Sequence, residues 1–222
     1  MQSMIKKAEN ISQMPKKEAY YRVTPTLLNS WANIFNCEDW VQDKENDDIS
    51  YEDKVAQAMK KAKQEFVDLL NRIPIPDNEY MQRGREFEDL VCRGQDEEFS
   101  PIVENGAFQV LGTKKTTISG EPILLYGVLD VLKAGRIMDI KRVKTYRCPK
   151  YKKSHQHAMY LELFPTTYDF TYLVRADNGE SYYENYIRDN IENIYDVIRD
   201  FISYLKTNDL FEIFTQKWVM YV

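Results

Sequence analysis

Gly127-Val128-Leu129-Asp130-Val131-Leu132-Lys133-Ala134-Gly135-Arg136-Ile137-Met138-Asp139-Ile140-Lys141 is the stretch whose reading decides the fold. Two apolar runs, Ile123 to Leu132 and Ile137 to Ile140, flank Ala134-Gly135, where glycine can take the backbone angles of a tight turn; the pattern is a β-hairpin. With the turn centred on 134 and 135, Asp130 lies opposite Asp139, Leu129 opposite Ile140 and Val131 opposite Met138. One face of the hairpin is then apolar, and the other gathers Asp130, Asp139 and Lys141. A slip of one residue would destroy this sorting. Opposed Cβ atoms sit about 5 Å apart, where like charges destabilise unless something offsets them, and a divalent cation would do so. Two solvated aspartates and a lysine on an exposed strand face satisfy the hairpin equally well, so the decision passes to the rest of the chain.

The chain has 222 residues, 43% hydrophobic and 29% charged, enough to bury a full core. The expected organisation is a single domain over 1–222: a helical N-terminal extension over 1–77, a core over 78–186, and a C-terminal helix and tail over 187–222. Met1 to Lys7 lacks the apolar core of a signal peptide and no apolar run reaches spanning length, which predicts a cytoplasmic protein with no membrane partner. Cys37, Cys92 and Cys148 are widely spaced, without the paired spacing of a zinc site, and are expected to be reduced. His155 and His157, the only histidines, leave little room for a histidine-based centre and are expected at the surface.

Net charge is −5, against a protein that binds nucleic acid over its whole surface, yet the charge is uneven. Between 133 and 153 lie nine basic residues, Lys133, Arg136, Lys141, Arg142, Lys144, Arg147, Lys150, Lys152 and Lys153, and one acid, Asp139. Such a cluster attracts phosphates, although a charge run by itself is also what a solvated face looks like.

Periodicity supplies the frame. Thr24-Pro25 ahead of Leu27, Leu28, Trp31, Ile34 and Phe35 is a capped amphipathic helix. Asn36 to Ser50 is a loop, Tyr51 to Ile73 a longer helix ended by Pro74 and Pro76, and Asn78 to about Gln95 a third helix carrying Glu88. Strands are expected at Ala107–Thr113, Ile123–Leu132 and Ile137–Lys144, a helix at about Tyr151–Phe164, strands at Tyr168–Arg175 and Ser181–Tyr186, and a long helix marked by Ile187, Ile191, Ile194, Ile198, Phe201 and Leu205. Helix, three strands, helix, strand predicts an α+β (α/β) domain with a mixed central sheet flanked by helices.

Glu88 on the first core helix, Asp130 and Asp139-Ile140-Lys141 on the hairpin and Gln156-xxx-Tyr160 on the next helix resemble, in order and spacing, the PD-(D/E)XK nuclease superfamily. Its RecB-like and phage lambda-exonuclease-like branch is the nearest in pattern, over roughly 78–186, with Thr24 to Phe35 similar to the short helix before the core of RecB-like nucleases. The proline usual before the first acid is here Leu129. The resemblance implies a restriction-endonuclease-like αβββαβ core. It implies that Glu88, Asp130, Asp139 and the Ile140 carbonyl hold magnesium or manganese, that Lys141 orients or activates the attacking water, and that Gln156 and Tyr160 position DNA and the catalytic groups. Arg142, Lys144, Arg147, Lys150, Lys152 and Lys153 are the expected nucleic-acid contacts. No cysteine follows Cys148, so the iron-sulfur cluster of one branch is not expected. The implied activity is DNA phosphodiester hydrolysis, most simply by an exonuclease of recombination, repair or phage DNA processing, in a bacterial or phage-infected cell, with a homo-oligomer or a recombination protein as possible partners. A catalytically silent nucleic-acid-binding or inhibitory protein of the same fold, and a site-specific endonuclease, are the competing expectations.

Overall fold

A computed structural model describes residues 17–39, 41 and 49–222. The reading of Met1 to Lys7 and most of the Asn36 to Ser50 loop lie outside the described residues.

The hairpin forms as β3 (Glu121–Lys133) and β4 (Arg136–Val143). Ala134 and Gly135 take φ of 50° and 77°, the two positive values a two-residue type I′ turn demands. Val131 pairs with Met138, Leu132 with Ile137 and Lys133 with Arg136, the expected register. The ladder stops there. Asp130 and Asp139 do not form the next backbone pair; instead the Asp130 carboxylate accepts the Ile140 amide at 2.9 Å.

The parting of the strands follows from how β3 is shared. On one side β3 runs against β2 (Ala107–Ile118) along almost its whole length. On the other it changes partner: Ile123 to Leu125 pair in parallel with β1 (Ala19–Val23), and Val131 to Lys133 pair with β4. Between these ladders, among the described residues, the β3 edge has no strand beside it, and the acidic residues stand at that gap. β5 (Asp169–Ala176) adds in parallel to β4, β6 (Ser181–Ile187) antiparallel to β5, and β7 (Val219–Tyr221) antiparallel to β1. The sheet order is β6-β5-β4-β3-β1-β7, with β2 on β3, which is a mixed sheet as expected.

The helices form where caps and stripes foretold. Thr24 caps α1 (Pro25–Ala32) by accepting the Leu27 amide, Ser50 caps α2 (Tyr51–Leu70), and Asn78 caps α3 (Glu79–Cys92). A short α4 (Ser100–Val103) follows, then α5 (Gln156–Leu163), α6 (Ile194–Thr207) and α7 (Phe211–Lys217). Two corrections concern extents. The helix expected from Tyr151 begins only at Gln156, and Ile187 ends β6, so α6 starts at Ile194. Strands β1 and β7 were not anticipated; the segment read as a helical extension lends a strand to the sheet, and so does the tail.

Two cores cover the sheet. The larger gathers Leu27, Phe66, Leu129, Ile137, Phe170, Phe201 and Phe214 with α1, α2, α5, α6 and α7. The smaller gathers Val91, Phe99, Val103, Val131, Met138, Ile140 and Leu173 under α3 and α4. The expectation of one apolar hairpin face is therefore corrected: Leu129 belongs to the larger core, and Val131, Met138 and Ile140 to the smaller. The cause is a kink. The β2–β3 ladder skips the pair Gln109 and Asp130, Gln109 taking a φ of 51°, and across this skip β3 moves from one core to the other.

Candidate active site

Asp139 is the centre of the cleft. Alternation along β4 sends Met138 and Ile140 into the smaller core and turns Asp139 toward α5, where it is buried. Its Oδ1 accepts from Gln156 Nε2 at 2.5 Å, and its Oδ2 meets the Lys141 ammonium at 2.6 Å in an ion pair outside aligned hydrogen-bond geometry. Burial raises its pKa, against the pull of Lys141 and Gln156. Asp130 is raised well above the ordinary carboxylate range, by burial, then by the charge of Asp139 and then by that of Glu88. Glu88, half-buried on α3, is raised by burial and by Asp139, while its Oε1 accepts from Gln109 Nε2 at 2.5 Å. Three carboxylates on three elements thus disfavour one another's charge. Burial pulls the Lys141 pKa down, but Asp139 and Asp130 outweigh it and hold the ammonium charged.

The helix α5 is seated by absence of side chains. Gly112 and Gly127 pair across β2 and β3, and a Cβ on Gly127 would stand 2.5 Å from the Tyr160 ring, one on Gly112 2.7 Å from Phe164. Tyr160 lies in this seat, 5% exposed, and donates its hydroxyl to the Val128 carbonyl at 2.5 Å, on the strand edge left without a partner. It holds the helix to the sheet beside the acidic residues. Gln156, one turn earlier, does reach Asp139. The start of α5 is fixed by Asn29 of α1, whose Oδ1 accepts from the His155 amide at 2.8 Å and whose Nδ2 donates to Ser154 Oγ at 3.1 Å. The other sequence-read residue on β4, Ile140, contributes its amide to Asp130.

The basic segment between β4 and α5 divides. Arg142 pairs with Asp177 at 3.1 Å, Lys153 with Asp39 at 2.7 Å, and Lys150 donates to the Thr145 carbonyl at 3.1 Å. Lys144, Arg147 and Lys152 are exposed and make no ion pair among the described residues. The segment is pinned by a residue that sequence reasoning missed. Glu184 of β6, buried, accepts from Tyr146 Oη at 2.5 Å, from the Lys150 amide at 2.9 Å, from the Tyr151 amide at 2.8 Å and from the Tyr186 hydroxyl. The histidines also part company with expectation. His157 is 3% exposed, stacked at 3.9 Å on Tyr186, and burial lowers its pKa to about 4. The three cysteines are free; burial and the neighbouring acids Glu88 and Asp130 push the Cys92 thiol up to about 11, leaving it unreactive.

Among the described residues no three His, Cys, Asp or Glu side chains are gathered closely enough to hold an ion as they stand. The chemistry of the donor set does fit a hard divalent cation: three carboxylates in mutual repulsion, one with a buried oxygen that has no aligned hydrogen bond.

No family model and no curated protein matches the sequence. Solved structures do match the fold. LHK-Exo, an alkaline exonuclease from Laribacter hongkongensis, is similar in complex with dAMP at 17% identity and a TM-score of 0.50, over 88% of this chain and 92% of that one. A further structure of it gives 16% and 0.49, over 88% and 91%. A proposed exonuclease from Eubacterium rectale gives 12% and 0.41, over 88% and 82%. The chain shares the fold of that alkaline exonuclease. Among the described residues no helix is long and apolar enough to cross a membrane.

Proposed function

We propose that the chain is a metal-dependent deoxyribonuclease, acting as an exonuclease. The observation that carries this reading is the Asp139 carboxylate held between Lys141 and Gln156, at 2.6 and 2.5 Å, beside the buried Asp130 and with Glu88 across the cleft. A retired binding protein has no use for an ammonium and three acids kept in electrostatic tension.

In this reading Glu88, Asp130, Asp139 and the Ile140 carbonyl would hold magnesium or manganese. The ion supplies neutralisation of the phosphoryl oxygens and acidification of the attacking water. The residues of the chain do the rest. Lys141, held charged by the two aspartates, stabilises the growing negative charge on phosphate and orients the water; it does not take the proton. Gln156 fixes the carboxylate of Asp139 so that one oxygen stays directed at the cleft. Lys144, Arg147 and Lys152 draw the phosphate backbone toward it. Water oxygen bonds to phosphorus and releases its proton to solvent, the bridging P–O bond breaks, and the leaving oxygen is protonated from solvent. The dAMP complex of the similar exonuclease agrees with a nucleotide product, and recombination or phage DNA processing is the setting that an end-dependent nuclease of this fold suggests.

The test is incubation with linear duplex, single-stranded and covalently closed circular DNA, with magnesium or manganese and with chelator. Cleavage of linear substrates that the chelator abolishes is expected. No cleavage under any metal condition would sink the enzyme reading in favour of a silent binding protein, and cutting of closed circles would replace exonuclease with endonuclease.

A further inference from the structure

Among the described residues the sheet has one face that its helices leave open. On the larger-core side, β1, β3 and β2 are covered by α2, α5, α6 and α7, while on the opposite side α3 and α4 cover the far end of β3 together with β4 and β5. The register fixes what stands on the uncovered part. Arg22 pairs with Leu124 and Leu124 with Lys115, so these three form a row across the strands, with Leu124 itself buried at the centre. Strand alternation adds Tyr20 beside Arg22, Tyr126 and Val128 beyond Leu124, and Leu111, which pairs directly with Val128.

We propose that this face is a track for a single nucleic-acid strand running to the acidic cleft. The inference rests on the nuclease reading. Three observations choose the occupant. First, cations and aromatic rings alternate on the face: the Arg22 guanidinium is 5.1 Å from the Tyr126 ring and Lys115 Nζ is 4.9 Å from the Tyr20 ring. Rings on which bases stack, interleaved with cations for the backbone, are what sequence-tolerant single-strand binding requires. Second, the positive charge is not spent internally. Among the described residues Arg22 has no carboxylate partner, and Lys115 has only Glu18 at 4.0 Å, at the end of the track away from the cleft.

Third, the face is continuous with the site. Val128 is two residues from Asp130, and Val128 and Leu111 are 37% and 54% exposed, an apolar step between the cleft and Tyr126. From Asp130 to Leu124 the strand covers about 20 Å, room for a few nucleotides. A partner protein would find too little apolar surface here and unpaired cations at its centre; a strand of phosphates and bases finds both of its needs.

The experiment uses the full chain in chelator, with a fluorescent single strand of about twelve nucleotides followed by anisotropy, and with 5-iodouracil in the same strand for photocrosslinking. The double variant Leu111→Glu with Lys115→Glu changes two exposed side chains and should raise Kd about tenfold or more. Lys61→Glu, on the outer surface of α2, should leave Kd unchanged. Crosslinks should fall on Tyr20 or Tyr126. An unchanged Kd in the double variant, or crosslinks confined to other elements while the wild type still binds, overturns the track. A dimer that the double variant dissociates, with Kd for the strand unchanged, gives the face to a second copy of the chain and overturns it equally. A wild-type protein that neither binds nor cleaves DNA fails the nuclease reading itself, which is distinguishable from all of these.

Discussion

Glu184 and Asp139 are both buried carboxylates, and their surroundings could hardly differ more. Four neutral donors converge on Glu184, two tyrosine hydroxyls and two amides, and no like charge shares its site. Asp139 has one amide and one ammonium, and faces two other acids. A carboxylate whose lone pairs are all used fixes structure; here it ties the basic segment to β6. A carboxylate left short of donors and crowded by its own kind is poised to take a ligand. Burial is common to both, so only the count and charge of the neighbours separates scaffold from chemistry.

The comparison is broken most directly at the acidic cleft. Asp130→Asn is expected to lower nuclease turnover roughly 1,000-fold, while the metal-free protein stays as stable or gains stability because a repulsion is removed. Single-turnover cleavage and thermal melts with and without magnesium read both effects. In the wild type a magnesium level about a hundred times the dissociation constant adds roughly 2.7 kcal/mol, and this gain should shrink in the variant. Strong destabilisation without metal, with the magnesium gain intact, would make Asp130 a structural residue like Glu184.

Glu184→Gln tests the other half. It places an amide donor among four donors, so urea unfolding should show a loss of about 3 kcal/mol, and the freed basic segment should raise KM for DNA more than it lowers kcat. Were turnover lost with KM unchanged, Glu184 would belong to the chemistry and the contrast with Asp139 would fall.

His157 sharpens the same side through pH. Its ring is stacked on Tyr186, which donates to Glu184, and Phe170, Tyr172, Glu192 and His155 complete its surroundings. Folded, it titrates near 4, and unfolded near 6.5, so the unfolded chain binds the extra proton. Stability is whole above pH 6.5 and falls as pH drops toward 4, by roughly 2 kcal/mol between pH 7 and 5. His157→Phe should flatten that slope in denaturation measured across the range; an unchanged slope would mean the imidazole is not held neutral.

Smallest is the hairpin turn. Ala134 sits at a φ of 50°, which disfavours a side chain other than Asn or Gly. Ala134→Asn is expected to stabilise by about 1 kcal/mol in chemical denaturation with cleavage rate unchanged. A drop in rate would show that the turn transmits geometry to the two aspartates.

These residues also mark what the sequence made legible. The hairpin could be read because a turn and two strands are local, and the turn register placed Asp139 and Lys141 on one face. Glu88 and Gln156 came through the order of motifs and then through position in space. The break in the ladder at Asp130 could not be read, since it depends on β1 taking over the edge of β3, and β1 is five residues pairing with a strand about a hundred residues later. Glu184 was invisible for a similar reason. In β6 it lies between tyrosines as an exposed polar residue would, and three of its four donors lie 33 to 38 residues upstream in a segment without periodicity. His157 was misjudged because a polar ring beside a lysine-rich segment gives no hint that Tyr186 will cover it.

The facing glycines at 112 and 127 carry a different lesson. Gln156 reaches Asp139 at 2.5 Å only because α5 can rest directly on bare backbone. The alignment of the cleft is thus set by a spacing in which one methyl group is already too thick. Any lineage or library that enriches those two positions with alanine trades the helix outward, and the first casualty is the reach of Gln156, long before the fold is lost.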